Sequence, residues 1–110
     1  MAESAEEVPE FVAKIASLDT VLQHRVRLAI CVLLSGQVEF SFARIKELLE
    51  ETDGSLGTQF RKLEDEKYIS VRKAFEGRKP ITWYKLTAKG KKALREHFER
   101  MNEIAAELRN

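Results

Sequence analysis

The chain has 110 residues, 44% hydrophobic and 34% charged with a formal net charge of +1, which fits one domain able to bury a core without disulfides or a structural metal. Its single cysteine, Cys31, excludes an intramolecular disulfide, and its longest apolar runs are far too short to cross a membrane. The N-terminus is acidic (Glu3, Glu6, Glu7, Glu10) and has no basic leader, so no signal peptide is expected and the expected location is cytoplasmic.

Residues 1–7 read as an acidic tail. Val8, Phe11, Val12 and Ile15 then recur at helical spacing, with Pro9 suited to a first turn. Asp19 or Thr20 can cap a second helix that buries Val21, Leu22, Val26, Ile30, Val32, Leu33 and Leu34 and ends at Gly36. Cys31 falls inside this run as a small buried hydrophobe.

Val38-Glu39-Phe40 is a short strand candidate. Ser41 caps a helix with Phe42, Ile45, Leu48 and Leu49 inward, ending near Glu51. Thr52 caps the next, which buries Leu56, Phe60 and Leu63. Two short helices joined this closely, the second polar on its outer side, make a helix-turn-helix.

The period then changes to two. Ile69 and Val71 alternate with Ser70 and Arg72, and Tyr84 and Leu86 alternate with Trp83 and Lys85, predicting a hairpin whose tip is Glu76-Gly77-Arg78-Lys79-Pro80. Trp83 could insert at a groove, but is more often expected to cover the outer face of that hairpin or a dimer surface. Thr87 caps a last helix with Leu94, Phe98, Met101, Ala105 and Leu108 on a heptad seam, and His97 and Ile104 beside it. The seam is either intramolecular core or a dimer contact, and its length favours the dimer.

Charge is distributed unevenly along these elements. Residues 54–92 hold 11 Lys and Arg against 4 acids, so this segment carries +7 and the remainder −6. Such asymmetry points to a polyanion facing one side of the molecule. On the helix, Ser55, Thr58, Gln59, Arg61 and Lys62 can hydrogen-bond base edges or phosphates, Gln59 by a bidentate contact to adenine. On the hairpin, Arg72, Lys73, Arg78 and Lys79 are placed to neutralise phosphates. Arg44 is equally suited to touching the backbone or pairing with Glu47. There is no Gly-rich phosphate loop, no His/Cys/Asp constellation and no apolar pair of carboxylates, so no enzyme is expected; His24 and His97 are too isolated to predict a metal site, and no cofactor is implied.

The ordered set Arg27-Leu28-Ala29-Ile30, Leu56 with Phe60-Arg61-Lys62-Leu63-Glu64, Tyr68-Ile69-Ser70-Val71, and Thr82-Trp83-Tyr84-Lys85-Leu86-Thr87-Ala88-Lys89-Gly90 resembles the winged helix-turn-helix family, specifically small prokaryotic regulators related to the MarR and ArsR groups. The resemblance covers about residues 18–100. It implies a mainly α fold with a small β-hairpin (α+β) and extended N- and C-terminal dimerisation helices. The implied organisation is 1–17 tail and short helix, 18–87 winged helix, and 88–110 dimerisation helix.

The resemblance also implies a sequence-specific regulator that binds double-stranded DNA as a homodimer, with the helix at 53–66 in the major groove and the hairpin tip on the backbone or minor groove. Many relatives carry Ser-Arg-His where this chain has Gly57-Thr58-Gln59, so a bidentate guanine reader is missing from that point. The metal sensing that some ArsR-like relatives perform through paired cysteines has no counterpart in one cysteine. Nothing in the sequence identifies an effector. A protein-protein or RNA-binding module on the same fold is the alternative, mildly favoured by Glu64, Asp65 and Glu66.

Overall fold

The structure is a computed structural model that describes residues 9–36 and 38–109, so the acidic tail and Val8 lie outside the described residues. Its elements run α1 (Glu10–Ala16), a 3-10 turn (Val21–Gln23), α2 (Arg25–Leu34), β1 (Phe40–Ser41), α3 (Phe42–Leu49), α4 (Asp53–Asp65), β2 (Ile69–Glu76), β3 (Lys79–Leu86) and α5 (Ala88–Leu108). This is the expected α+β winged helix, with one antiparallel sheet in the order β1-β3-β2.

The expected second helix divides in two. Asp19 Oδ1 accepts from the Val21 and Leu22 amides at 2.8 and 3.3 Å, which opens the 3-10 turn. His24 then takes an extended backbone and its Nδ1 accepts from Val26 N at 3.2 Å, starting α2 afresh. Val26, Ile30, Cys31 and Leu34 face the core, whereas Val32, expected inside, is 45% exposed. Leu48 of α3 is likewise exposed rather than inward, because an eight-residue helix lying on the core's edge buries only its Ile45 stripe.

Three caps define the elements around the helix-turn-helix. The hydroxyls of Ser41, Thr52 and Thr87 accept from the Arg44, Ser55 and Gly90 amides at 3.1, 3.1 and 3.0 Å. Glu50 and Lys67, both with positive φ, turn the chain out of α3 and out of α4. Val38 and Glu39 stay outside β1, whose two residues pair with Tyr84 and Trp83.

The base of the wing is joined tightly to α5. Thr87 N donates to Tyr68 O at 3.0 Å and Thr87 Oγ1 donates to Lys67 O at 2.7 Å. Gly90 packs so closely there that a Cβ would sit 2.2 Å from Tyr68 O. The core is Leu22, Ile30, Cys31, Leu34, Ile45, Leu56, Phe60 and Leu63 with Tyr68, Tyr84, Leu86 and Leu94 around them.

On α5 the buried stripe is Gly90, Leu94 and His97, not the whole heptad seam. Phe98 and Met101 are each 41% exposed, because the seam rotates away from the core after Leu94. The distal half of α5 meets α1 instead, where Lys14 lies 3.9 Å from both Glu103 and Glu107. No helix among the described residues is long and apolar enough to cross a membrane.

Candidate nucleic-acid interface

The helix-turn-helix and the wing are locked together by three aromatic rings. Phe60 of α4 stacks on Tyr84 of β3, with centroids 3.9 Å apart and ring planes within 4°. Phe42 of α3 meets the Phe60 ring, with centroids 5.6 Å apart. Burial of Leu56, Phe60 and Leu63 fixes the rotation of α4. At 100° per residue, Gly54, Thr58, Arg61 and Asp65 then form its outermost stripe, with Lys62 beside them.

Thr58, Arg61 and Lys62 are exposed as the polar face requires. Ser55 and Gln59 lie at its edge and are half-buried. Most of these groups already have partners inside the protein. Thr58 Oγ1 donates to Gly54 O at 3.0 Å, Ser55 Oγ lies 3.5 Å from Glu51 Oε2, and Lys62 Nζ is 3.6 Å from Glu66. Asp53 pairs with Lys46 of α3 at 2.7 Å.

Gln59 is the most changed from expectation. Its Oε1 accepts from Arg27 Nη1 at 2.8 Å, while Arg27 Nε donates to Val21 O at 2.7 Å. A bidentate adenine contact needs both ends of the amide, and the acceptor end is engaged here. Arg27 thus ties α2 and the 3-10 turn to α4, a link that no local pattern marks.

On the wing, Gly77 and Arg78 form the connection between paired Glu76 and Lys79, and the positive φ of 64° falls on the glycine. Lys73, Arg78 and Lys79 are exposed, and among the described residues none of them, nor Arg61, pairs with an acid. Arg72 differs: Nε and Nη2 donate to the two Glu39 carboxylate oxygens at 3.0 and 2.9 Å, and its guanidinium lies 5.6 Å from the Trp83 ring. The hydrogen bond from Arg72 holds the Glu39 carboxyl below its usual range. Arg72 and half-buried Trp83 therefore brace the outer face of the hairpin, and Arg72 is not a free phosphate clamp in this conformation. Arg44 forms its ion pair with Glu47.

Behind this surface the titratable groups are structural. The Tyr68 hydroxyl donates to Asp19, and burial first, then this bond, raises its pKa. Burial pushes the Cys31 thiol up to about 12, so it stays protonated and inert. His97 is 2% exposed, its Nδ1 has no partner among the described residues, and burial lowers its pKa. No three His, Cys, Asp or Glu side chains among the described residues are grouped to hold a metal ion.

A family model described as a winged helix DNA-binding domain matches residues 26–105. Several solved structures share the fold. The transcriptional regulator homologue protein from Pyrococcus horikoshii OT3 is 24% identical and aligns over 91% of this chain and 98% of its own, with a TM-score of 0.81. The transcriptional repressor BigR from Xylella fastidiosa is 22% identical over 80% of this chain and 83% of its own, with a TM-score of 0.61. ZitR from Lactococcus lactis, a zinc-responsive MarR family member, is 21% identical over 77% of this chain and 58% of its own, with a TM-score of 0.57. No curated protein matches the chain.

Proposed function

The chain belongs to the winged helix DNA-binding domain family, and from that premise we propose that it is a sequence-specific transcriptional regulator that grips duplex DNA as a homodimer. The observation that carries this reading is the set of cations Arg61, Lys73, Arg78 and Lys79, which have no acidic partner among the described residues and are held on and beside the outward stripe of α4 by the Phe60–Tyr84 stack. Cations left without internal partners are free to displace counterions from phosphates. In this reading α4 enters the major groove, with Ser55, Thr58, Gln59, Arg61 and Lys62 toward the DNA. Lys73, Arg78 and Lys79 hold the backbone beside it, and Arg72 joins them only on releasing Glu39.

The homodimer is supported by an apolar face remote from that surface. Ile15, Leu18, Met101, Ile104, Ala105 and Leu108 line a groove of about 210 Å³ between α1 and α5. Leu108 is 77% exposed, so this face has unburied area to give to a second copy. Residues 18–87 then serve as the DNA-binding unit and 88–110, with the first helix, as the dimer arms.

Fluorescence titration of labelled duplexes from a random pool, at two salt concentrations, tests the reading. Binding that weakens steeply as salt rises, with one enriched palindrome, is the expected result. No binding to any duplex at low salt sinks it.

A further inference from the structure

We propose that the wing carries an apolar wedge, Phe75 backed by Pro80, which enters the minor groove of the bound duplex, opens a base step and bends the DNA. This rests on the reading above that the chain binds duplex DNA. Phe75 is 75% exposed, and its cross-strand partner is the exposed Pro80. The two make an apolar pair next to the Gly77-Arg78 connection.

By the two-residue period of a strand, Phe75 shares a face with Val71 and Ile69. Val71 pairs with Tyr84, the ring stacked on Phe60 of α4. The face bearing Phe75 is therefore the face that packs on the recognition helix, continued beyond the core. Four residues separate Val71 from Phe75, a reach of about 13 Å. The minor groove is about 7.5 Å deep, so the reach suffices to set the ring against its floor.

The surroundings select the occupant. Lys73 precedes Phe75 on the same face, and Arg78 and Lys79 flank it at the tip, all unpaired with acids among the described residues. An exposed aromatic ring on a hairpin where the cations Lys73, Arg78 and Lys79 outnumber the one acid, Glu76, is matched to a polyanion with an apolar interior, which is what stacked bases between phosphate rails provide. A wedge also supplies sequence preference where α4 has little free capacity, since Gln59 is bound to Arg27. Pyrimidine–purine steps unstack most readily, so the wing would favour TA or CA steps without a single base hydrogen bond.

The test uses the full chain and an end-labelled duplex of about 30 base pairs with a TA step, containing 2-aminopurine, in each half, against a matched duplex with AA steps. The dyes should approach on binding and the 2-aminopurine should brighten. Phe75→Ala should melt at the same temperature, keep the salt dependence and self-association of the parent, and lose both the bend and a roughly tenfold TA preference. Phe75→Leu should recover much of the bend. Binding by the parent protein without bending or 2-aminopurine change overturns the wedge and leaves DNA binding standing. Bending by Phe75→Ala equal to the parent, or an altered self-association in its place, overturns it as well. No binding to either these duplexes or the random pool removes the underlying reading and the wedge together.

Discussion

The recognition helix and the wing hang from one aromatic joint, yet they hold their polar groups in opposite ways. On α4, Gln59 is bound to Arg27, Thr58 to Gly54, Lys62 to Glu66 and Asp53 to Lys46. On the wing, mid-strand Lys73 and the tip residues Arg78 and Lys79 have no acidic partner among the described residues. Polar groups fixed by internal bonds keep a set geometry but must trade a bond for a bond on binding. Free cations on a hairpin carry little geometry and gain fully from phosphates. On the proposed reading the helix chiefly sets orientation, with Arg61 its one cation lacking an acidic partner among the described residues, and the wing supplies most of the affinity and its salt dependence.

The largest expected effect comes from cutting the joint itself. Phe60→Ala removes a buried ring from between Phe42 and Tyr84. A loss of about 3–5 kcal/mol is expected for such a truncation. Chemical denaturation measures it, and a loss under about 1 kcal/mol would mean that helix and wing are held by something other than this stack.

The next effect separates free cations from paired ones. Arg78→Ala with Lys79→Ala removes two cations from each protomer and should lower the slope of log affinity against log salt by about four for the bound dimer. Arg72→Ala, which removes an ion pair with Glu39, should change that slope by much less. Equal slopes for the two variants would show that Arg72 leaves Glu39 to clamp DNA, and the contrast between wing base and wing tip would vanish.

Local features of this arrangement were legible in the sequence, and long-range ones were not. Ser41, Thr52 and Thr87 could be read as caps because a hydroxyl before an amphipathic run has one evident use. The hairpin could be read from its period and from Gly77. The bonds that tie α4, the wing and the interior behind them together join residues far apart in the chain: Arg27 to Gln59, Glu39 to Arg72 and Asp19 to Tyr68. Periodicity reports which way a side chain points, not which charge waits across the gap. His24 escaped notice as a cap because its ring nitrogen does what a Ser or Asp oxygen usually does. Gly90 could be located, but its need for a bare α-carbon against Tyr68 O exists only in the folded molecule.

A smaller effect comes from His97, which is buried in α5 one turn before Met101. Burial lowers its pKa below the ordinary value of 6.5, with Asp19 opposing and Arg100 adding to the shift. The unfolded chain therefore binds this proton more readily than the folded one. Stability is full above about pH 6.5 and falls as the pH drops through the folded pKa. Thermal melts of the parent and His97→Phe between pH 7.5 and 5 should show a shallower fall for the variant. Since His97 is buried and is not among the cations proposed to meet phosphates, the salt slope of DNA binding should be the same in both. A variant as acid-sensitive as the parent would place the loss at the carboxylates instead.

Two glycines give the smallest and sharpest test of the helix's part. A Cβ at Gly54 or Gly57 would meet nothing within 4 Å, so neither is required by packing. Both lie in α4, where Gly57 costs about 1 kcal/mol of helix propensity relative to Ala. Gly57→Ala should therefore stabilise the protein by about 0.5–1 kcal/mol. The open space at Gly54, on the outermost stripe one turn before Thr58, is the place where a groove wall can come close to the helix backbone, with Gly57 at its margin. On this account Gly54→Ala and Gly57→Ala raise the melting temperature by a few degrees while weakening duplex binding several-fold. Their salt slope stays that of the parent, because no cation is lost. A stabilised variant that binds as tightly as the parent would mean that α4 stands off the DNA, and affinity and orientation would both have to come from the wing.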